Sequence, residues 1–180
     1  MLLGGLYASD ALTTGRVYDI PLEQAYSELA SMEVPGPLLG ATAGVYATSV
    51  SVRRLPQAIS WQFQVGGVDV ASFTARLSPE APGRTRVRVE YTPGEPLPPE
   101  LQQLTSATLT RDFARIAMSE QVDAQLEHRP VDEVEMAHAM ARHAAAHPEQ
   151  VQEYRQAAAE TVAGLYRQAN ENAEGISADQ

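Results

Sequence analysis

Three histidines near the C-terminus are the residues whose type and spacing come closest to a metal site. His143 and His147 are one helical turn apart, which places two imidazoles on the same face of a helix. His138 lies five residues before His143 and so falls off that face, and no Glu follows His143 as a zinc protease requires. We therefore expect solvated histidines on an Ala-rich helix, and no metal or other cofactor.

Hydroxyl residues are plentiful, but none is placed to act as an activated nucleophile. They have neither a glycine elbow nor a nearby His. Gly4-Gly5 and Gly66-Gly67 lack the spacing and the following helix of a phosphate or dinucleotide loop. The chain contains no Cys, which excludes thiol nucleophiles, disulfides and zinc–thiolate sites. We can name no catalytic residue, and the sequence favours a non-enzymatic protein.

A set of aromatic and apolar residues is the best candidate for ligand binding. The candidate ligand-binding residues are Tyr46, Trp61, Phe63, Phe73, Tyr91, Phe113 and Ile116. They could line an apolar pocket, or they could interdigitate as a filled core with no cavity. Two charged neighbours, Arg111 and Asp112, could reach the mouth of such a pocket and orient a carboxylate or a ketone.

The overall charge limits the classes of partner. The net charge is −10 and the isoelectric point is near 4.8, so the chain repels phosphate backbones and we expect no nucleic-acid partner.

Arg86, Arg88 and Glu90 alternate with apolar residues, which predicts a solvated salt-bridge ladder on the polar face of a sheet.

An antiparallel sheet must position most of these residues. Apolar and polar residues alternate over 45–92, which is typical of a sheet with one face in water and one face on a core. Strands are predicted at about 16–20, 45–54, 58–66, 68–78 and 85–92. Gly66-Gly67 predicts a two-residue hairpin, while Leu55–Gln57 and Pro79–Gly83 predict two further turns.

Helices are predicted on both sides of this sheet in the sequence. Pro21 opens a short amphipathic helix over 21–32. Pro99 and Glu100 open a long helix that runs to about Glu127 and covers the apolar face of the sheet. Two Ala-rich helices follow, at 131–147 and 148–170, divided by Pro148.

The segment Val17–Leu29 resembles the opening strand, proline and first helix of the START-like superfamily, also called the SRPBCC or polyketide-cyclase-like superfamily. Ile59–Phe63, Phe73–Pro79 and Thr85–Tyr91 are similar to its central hairpins. The resemblance covers about residues 16–128. This chain departs from the family in having five predicted strands, a Pro/Gly loop instead of a second helix, and added C-terminal helices. The resemblance implies a hydrophobic-ligand pocket between the sheet and the last helix of the fold.

The fold we expect is α+β: an antiparallel sheet wrapped around a long helix, helix-grip-like, plus C-terminal helices. Residues 1–15 are expected to be a disordered or loosely packed N-terminus, 16–130 the START-like domain, and 131–180 a helical extension with a polar tail. The leading function is non-enzymatic binding of a hydrophobic small molecule, lipid-like or isoprenoid-like, between sheet and long helix. The alternative is an interaction or assembly module with a filled core, which would form a homodimer or bind another protein through 131–170.

The first residues of the chain leave its location open. Residues 1–9 are apolar and small, but they lack a basic region and are too short to span a membrane, so no transmembrane segment is expected. They are either a loosely packed start or the stub of a longer anchor or signal sequence. The cytoplasm is favoured, and a periplasmic or membrane-anchored protein is the alternative if translation begins before Met1.

Overall fold

A computed structural model describes residues 15–34, 48–65, 67–94 and 108–177. The expected α+β fold is confirmed, because five antiparallel strands form one open sheet that packs against helices. The strands are β1 (Arg16–Tyr18), β2 (Thr48–Leu55), β3 (Ala58–Val65), β4 (Val68–Ala81) and β5 (Arg84–Pro93). The helices are α1 (Leu22–Ser31), α2 (Thr108–Leu126), α3 (Glu133–Ala146) and α4 (Pro148–Ser177). The predictions for the N-terminal segment, for Tyr46 and for the start of the long helix lie outside the described residues.

The sheet has the order β1-β5-β4-β3-β2, so the last four strands form consecutive hairpins and β1 joins the edge beside β5. The predicted Gly66-Gly67 hairpin is confirmed, because Val65 pairs with Val68 and leaves two residues for the turn. Gly67 has φ +84°, a conformation that glycine adopts without steric cost. β1 is short and pairs only with residues 85–87, which leaves the second half of β5 at an open edge.

Several boundaries differ from the sequence predictions, and three of them have a clear physical reason or bear on the turns. The predicted turn at Pro79–Gly83 is narrower, since β4 continues to Ala81 and Pro82-Gly83 makes the turn. Pro79 is tolerated in the strand because it lies beyond the end of β3, whose first residue pairs with Arg76. β1 ends at Tyr18 rather than residue 20, and α4 continues to Ser177 rather than 170, since its last turns contain no proline.

The centre of the sheet carries the hydrophobic core. On the face that meets the helices, the side chains of β3 and β4 are fully or almost fully buried: Ile59, Trp61, Phe63, Ala71, Phe73, Ala75 and Leu77. Burial decreases toward the β2 edge, where Val52 is 43% exposed, and toward the end of β5, where Tyr91 is half-buried, while Val87 on β5 and Tyr18 on β1 remain buried. The largest fully buried side chains of the sheet lie on β3 and β4.

The helices form two layers over this core. α1 lies against β3, β4 and β5 and buries Ala25 and Leu29 completely. α2 packs beside α1 and against β5, and α3 and α4 pack in turn on α2. The C-terminal helices therefore dock on the domain to which they belong. Within the described ranges, no helix combines the length and the apolar character needed to cross a membrane.

β2 forms the second open edge of the sheet and carries two exposed arginines. The register pairs Arg54 with Ile59, which places Arg54 on the side of the sheet that faces the core, while Arg53 lies on the polar side. Neither guanidinium forms an ion pair with another described residue. Both charges at this edge are thus left to solvent.

Candidate functional site

The sheet brings together four of the seven candidate ligand-binding residues. Trp61, Phe73 and Tyr91 pair across three adjacent strands, and Phe63 lies beside them. The ring centroids of Phe63 and Phe73 are 5.5 Å apart and those of Phe73 and Tyr91 are 5.3 Å apart, both in edge-to-face contact. Trp61, Phe63 and Phe73 are fully buried, so these rings fill the centre of the core.

The two candidates on α2 lie elsewhere. The α2 residues that belong to the sheet core are Ala114, Met118, Val122 and Leu126. Phe113 contacts the His143 ring on α3 at 6.4 Å between centroids, and Ile116 is only half-buried. The sheet covers one side of α2 and the C-terminal helices cover another, so apolar residues occur on both sides of this helix. The sequence pattern alone therefore did not show which apolar residues of α2 face the sheet.

Four apolar residues around the ring cluster are only partly buried. Val50, Val70, Val89 and Tyr91 pack against the core but remain partly accessible. Val89 and Tyr91 are partly accessible because β1 stops opposite residue 87, and beyond it no described strand pairs with β5 on the side away from β4. We call Val50, Val70, Val89 and Tyr91 the edge region; it is apolar and continuous with the core, as a ligand pocket would be.

Arg111 lies next to this edge region. It precedes Ala114 by three residues and Met118 by seven, which places it on the sheet-facing side of α2. Its charge lowers the pKa of Tyr91, although burial of the phenol has the larger effect and raises that pKa overall. One terminal nitrogen of Arg111 donates to the Thr108 hydroxyl at 2.9 Å, and its buried Nε has no acceptor among the described residues.

Asp112 follows Arg111 in the sequence but points to a different side of α2. Its Oδ2 lies 3.1 Å from Nε2 of His143, and its Oδ1 lies 3.6 Å from Arg115. The two residues therefore do not act as a pair at the sheet, because only Arg111 lies on the sheet-facing side of α2. Asp112 instead links α2 to α3.

The histidines form a junction between helices. Nε2 of His143 also lies 3.3 Å from Oε1 of Gln150 on α4, and the His143 and His147 rings are 4.5 Å apart. His138 is exposed and takes no part. In the described ranges, no group of three or more His, Asp or Glu residues is arranged to hold a metal ion. The spacing of His143 and His147 thus brings the rings together, and His143 contacts both Asp112 on α2 and Gln150 on α4.

A polar cluster that sequence reasoning did not find joins β1 to α2. Arg16 forms ion pairs with Asp123 at 2.5 Å and with Glu127 at 2.7 Å, and the hydroxyl of Tyr18 donates to the Asp123 carboxylate. Burial raises the pKa of Asp123 above its ordinary value. Burial and the nearby carboxylate also raise the pKa of Tyr18. No sequence signal identified this cluster, because its members are more than 100 residues apart.

The polar face of the sheet has the predicted ion pairs. Glu90 lies 2.7 Å from Arg76 on the neighbouring strand and 3.6 Å from Arg88. Arg86 pairs with Glu80 at 2.9 Å. These groups are solvated and exposed to screening, so we interpret them as surface stabilisation rather than a binding site.

One open depression lies away from all of these residues. Its volume is about 470 Å³, and it is bordered by Pro21, Leu22 and the hairpin 79–84, at the opposite end of β5 from Tyr91. The charged groups on its border are already paired, Glu80 with Arg86 and Arg84 with Asp19. It offers no converging acid and base.

Comparison with known proteins identified no matching family model, no matching curated protein and no matching solved structure. The candidate site therefore has to be interpreted from its own chemistry.

Proposed function

We propose that this protein binds an apolar small molecule, lipid-like or isoprenoid-like, without converting it chemically. The binding region would lie between the edge region of the sheet and the N-terminal part of α2. The observation that carries the proposal is the edge region itself: Val50, Val70, Val89 and Tyr91 are apolar, and each packs against the core but is only partly covered.

Two further features support this proposal. The strand, short helix, antiparallel strands and long helix follow one another in the order on which the START-like resemblance rests, and that resemblance implies a hydrophobic ligand. Tyr18 and Asp123 pair with each other and with Arg16 in the contact between β1 and α2, so among the described residues this pair serves to join two elements of the fold. A binding function requires no acid–base pair at an apolar surface.

The centre of the core is filled, so the ligand would bind beside it and not within it. Because Trp61, Phe63 and Phe73 are fully buried, and the rings of Phe63 and Phe73 are in contact, we place these residues at the floor of the site rather than in its walls. Tyr91 is the aromatic residue that the ligand would contact directly.

Native mass spectrometry of the full chain as purified, followed by organic extraction, tests the proposal. The expected result is a stoichiometric small-molecule adduct that extraction removes. If the protein carries no adduct, titration with an apolar probe provides the second arm, with Val89→Asp as the binding-deficient variant and Val134→Asp as the control. Val134 lies on α3 and is 67% exposed. Absence of binding in both arms would contradict the proposal.

A second function is favoured by a different observation. Tyr154 and Val162 on α4 are 38% and 51% exposed and, at eight residues apart, lie on the same side of that helix. Their exposure favours an assembly role in which this side of α4 contacts a second copy or another protein. Native mass spectrometry separates the two functions, because a bare dimer that Val162→Glu converts to monomer would favour assembly.

A further inference from the structure

The groups left without partners beside the aromatic core indicate which ligand would fit. Trp61 is fully buried, yet its indole N–H has no acceptor among the described residues. A buried Trp N–H ordinarily has a hydrogen-bond partner. The buried Nε of Arg111 also lacks an acceptor in the described part of the chain. Both groups can only donate, so each would need its own acceptor atom.

Both donors belong to residues on the core-facing side of the sheet. Trp61 pairs with Phe73, and Phe73 pairs with Tyr91, so Trp61 and Tyr91 lie two strands apart, about 10 Å at the usual strand spacing. Arg111 lies on the sheet-facing side of α2, and α2 packs against β5, the strand that carries Tyr91. Trp61 therefore lies at one end of a row of aromatic side chains, and Arg111 lies on the helix that packs against the strand at the other end.

The charge of Arg111 is the more informative of the two groups. The nearest acid in sequence, Asp112, is directed to His143 and Arg115, and Arg111 forms no ion pair with any described residue. A half-buried guanidinium without a carboxylate partner is costly, and a bound anion would offset that cost. Arginine also forms strong charge-assisted hydrogen bonds with carboxylates.

We infer that the ligand of the edge region is an apolar molecule with a carboxylate head, and that Arg111 binds this head. The inference rests on the proposed function, because it assigns a chemical class to the ligand of that same site. The apolar body of the ligand lies on Val89 and Tyr91, and the carboxylate lies at the N-terminal part of α2.

The test compares dodecanoate with dodecan-1-ol, which have the same chain and differ in the charge of the head. Trp61 is the single Trp of the chain and lies in the core beside the site, so its fluorescence reports binding of either probe. Wild-type protein is expected to bind dodecanoate about 10- to 100-fold more tightly than the alcohol. Arg111→Met should remove this preference and leave the affinity for the alcohol within about twofold, since neutral-head contacts do not involve the guanidinium.

Two further variants control the comparison. Arg142→Met removes the same charge from an exposed site on α3, where Arg142 pairs with Glu135, and should retain the preference for dodecanoate. Arg111→Lys keeps the charge and should retain part of it, which covers the case in which Arg111→Met is poorly folded. Equal affinity of wild-type protein for both probes would overturn the carboxylate assignment while supporting the proposed function. Binding of neither probe by protein that also carries no adduct as purified would overturn both.

Discussion

The hydroxyl of Tyr18 on β1 donates a hydrogen bond to the carboxylate of Asp123 on α2, across 105 residues of sequence. Arg16, two residues earlier on the same strand, forms an ion pair with the same carboxylate. Since β1 has only three residues and pairs with one neighbour, these side-chain contacts attach the short edge strand to the helix layer. The stability of the edge strand should therefore depend on this pair.

Tyr18→Phe should lower the free energy of unfolding by about 1–3 kcal/mol at neutral pH, the usual effect of removing a hydrogen bond to a charged group. The ring remains in place, so packing changes little. Urea denaturation followed by circular dichroism measures the effect. Tyr154→Phe is the matched control, because Tyr154 is 38% exposed and forms none of these contacts; a loss of similar size in the control would refute the role of the Tyr18–Asp123 bond.

The same pair predicts how stability changes at alkaline pH. Burial and Asp123 raise the pKa of Tyr18 in the folded protein above its ordinary value of 10.0. Above about pH 10 the unfolded chain loses this proton and the folded chain keeps it, so the free energy of unfolding falls by up to about 1.4 kcal/mol per pH unit. Tyr18→Phe should make this decline shallower. Denaturation at pH 8, 9, 10 and 11 would show it, and identical slopes in the two proteins would contradict the prediction.

Replacement of Met118 tests which side of α2 faces the sheet. Met118 is fully buried in the core, so Met118→Ala should cost about 2–5 kcal/mol. Val162→Ala on α4 removes apolar atoms from a side chain that is 51% exposed and should change stability by less than about 0.5 kcal/mol. Equal effects of the two substitutions in urea denaturation would mean that α2 is rotated relative to the sheet.

Two glycines are expected to respond in opposite directions to replacement by alanine. Gly15 has φ +81°, and a Cβ there would lie 2.7 Å from the carbonyl oxygen of Val87, so Gly15→Ala should cost more than about 1 kcal/mol. Gly164 lies in α4 with open space around its Cα, and Gly164→Ala should stabilise the helix by about 0.5–1 kcal/mol. Thermal and urea denaturation of both variants would check the sign of each change.

His143 is predicted to hold the C-terminal helices on α2. His143→Ala removes its contacts with Asp112 and Gln150, each worth about 1 kcal/mol, and a total loss of about 2 kcal/mol corresponds to roughly 30-fold more frequent opening. Hydrogen exchange should increase in α3 and α4 while the amides of β3 and β4 stay protected. His138→Ala, on an exposed position of the same helix, should leave the exchange unchanged. Uniform acceleration over the sheet would indicate global destabilisation instead.

The order of the elements was predictable because it depends on local pattern. Alternation located the strands, Gly66-Gly67 located a hairpin, and Pro148 located the boundary between the last two helices. Each of these signals lies within a few residues of the feature that it determines.

The candidate site was less predictable because its geometry depends on distant contacts. Trp61, Phe63, Phe73 and Tyr91 were placed on one face correctly, since strand alternation fixes the face. Phe113 was assigned to the same site, but it contacts His143 on α3, because α2 has an apolar side for each of its neighbours. The Tyr18–Asp123 contact had no local signal at all.

Arg53 and Arg54 on β2 affect whether two copies of this protein can associate through their sheet edges at high concentration. The outer edge of β2 pairs with no other strand among the described residues, and unpaired backbone amide and carbonyl groups at a sheet edge can template a strand from a second molecule and so begin aggregation. Arg54 lies on the core-facing side, so a sheet extended through this edge would have to enclose a bare positive charge in its apolar layer. Arg53 adds a second charge on the other side of the same strand. The guanidinium groups therefore act as gatekeepers that keep the open sheet from becoming the seed of a fibril.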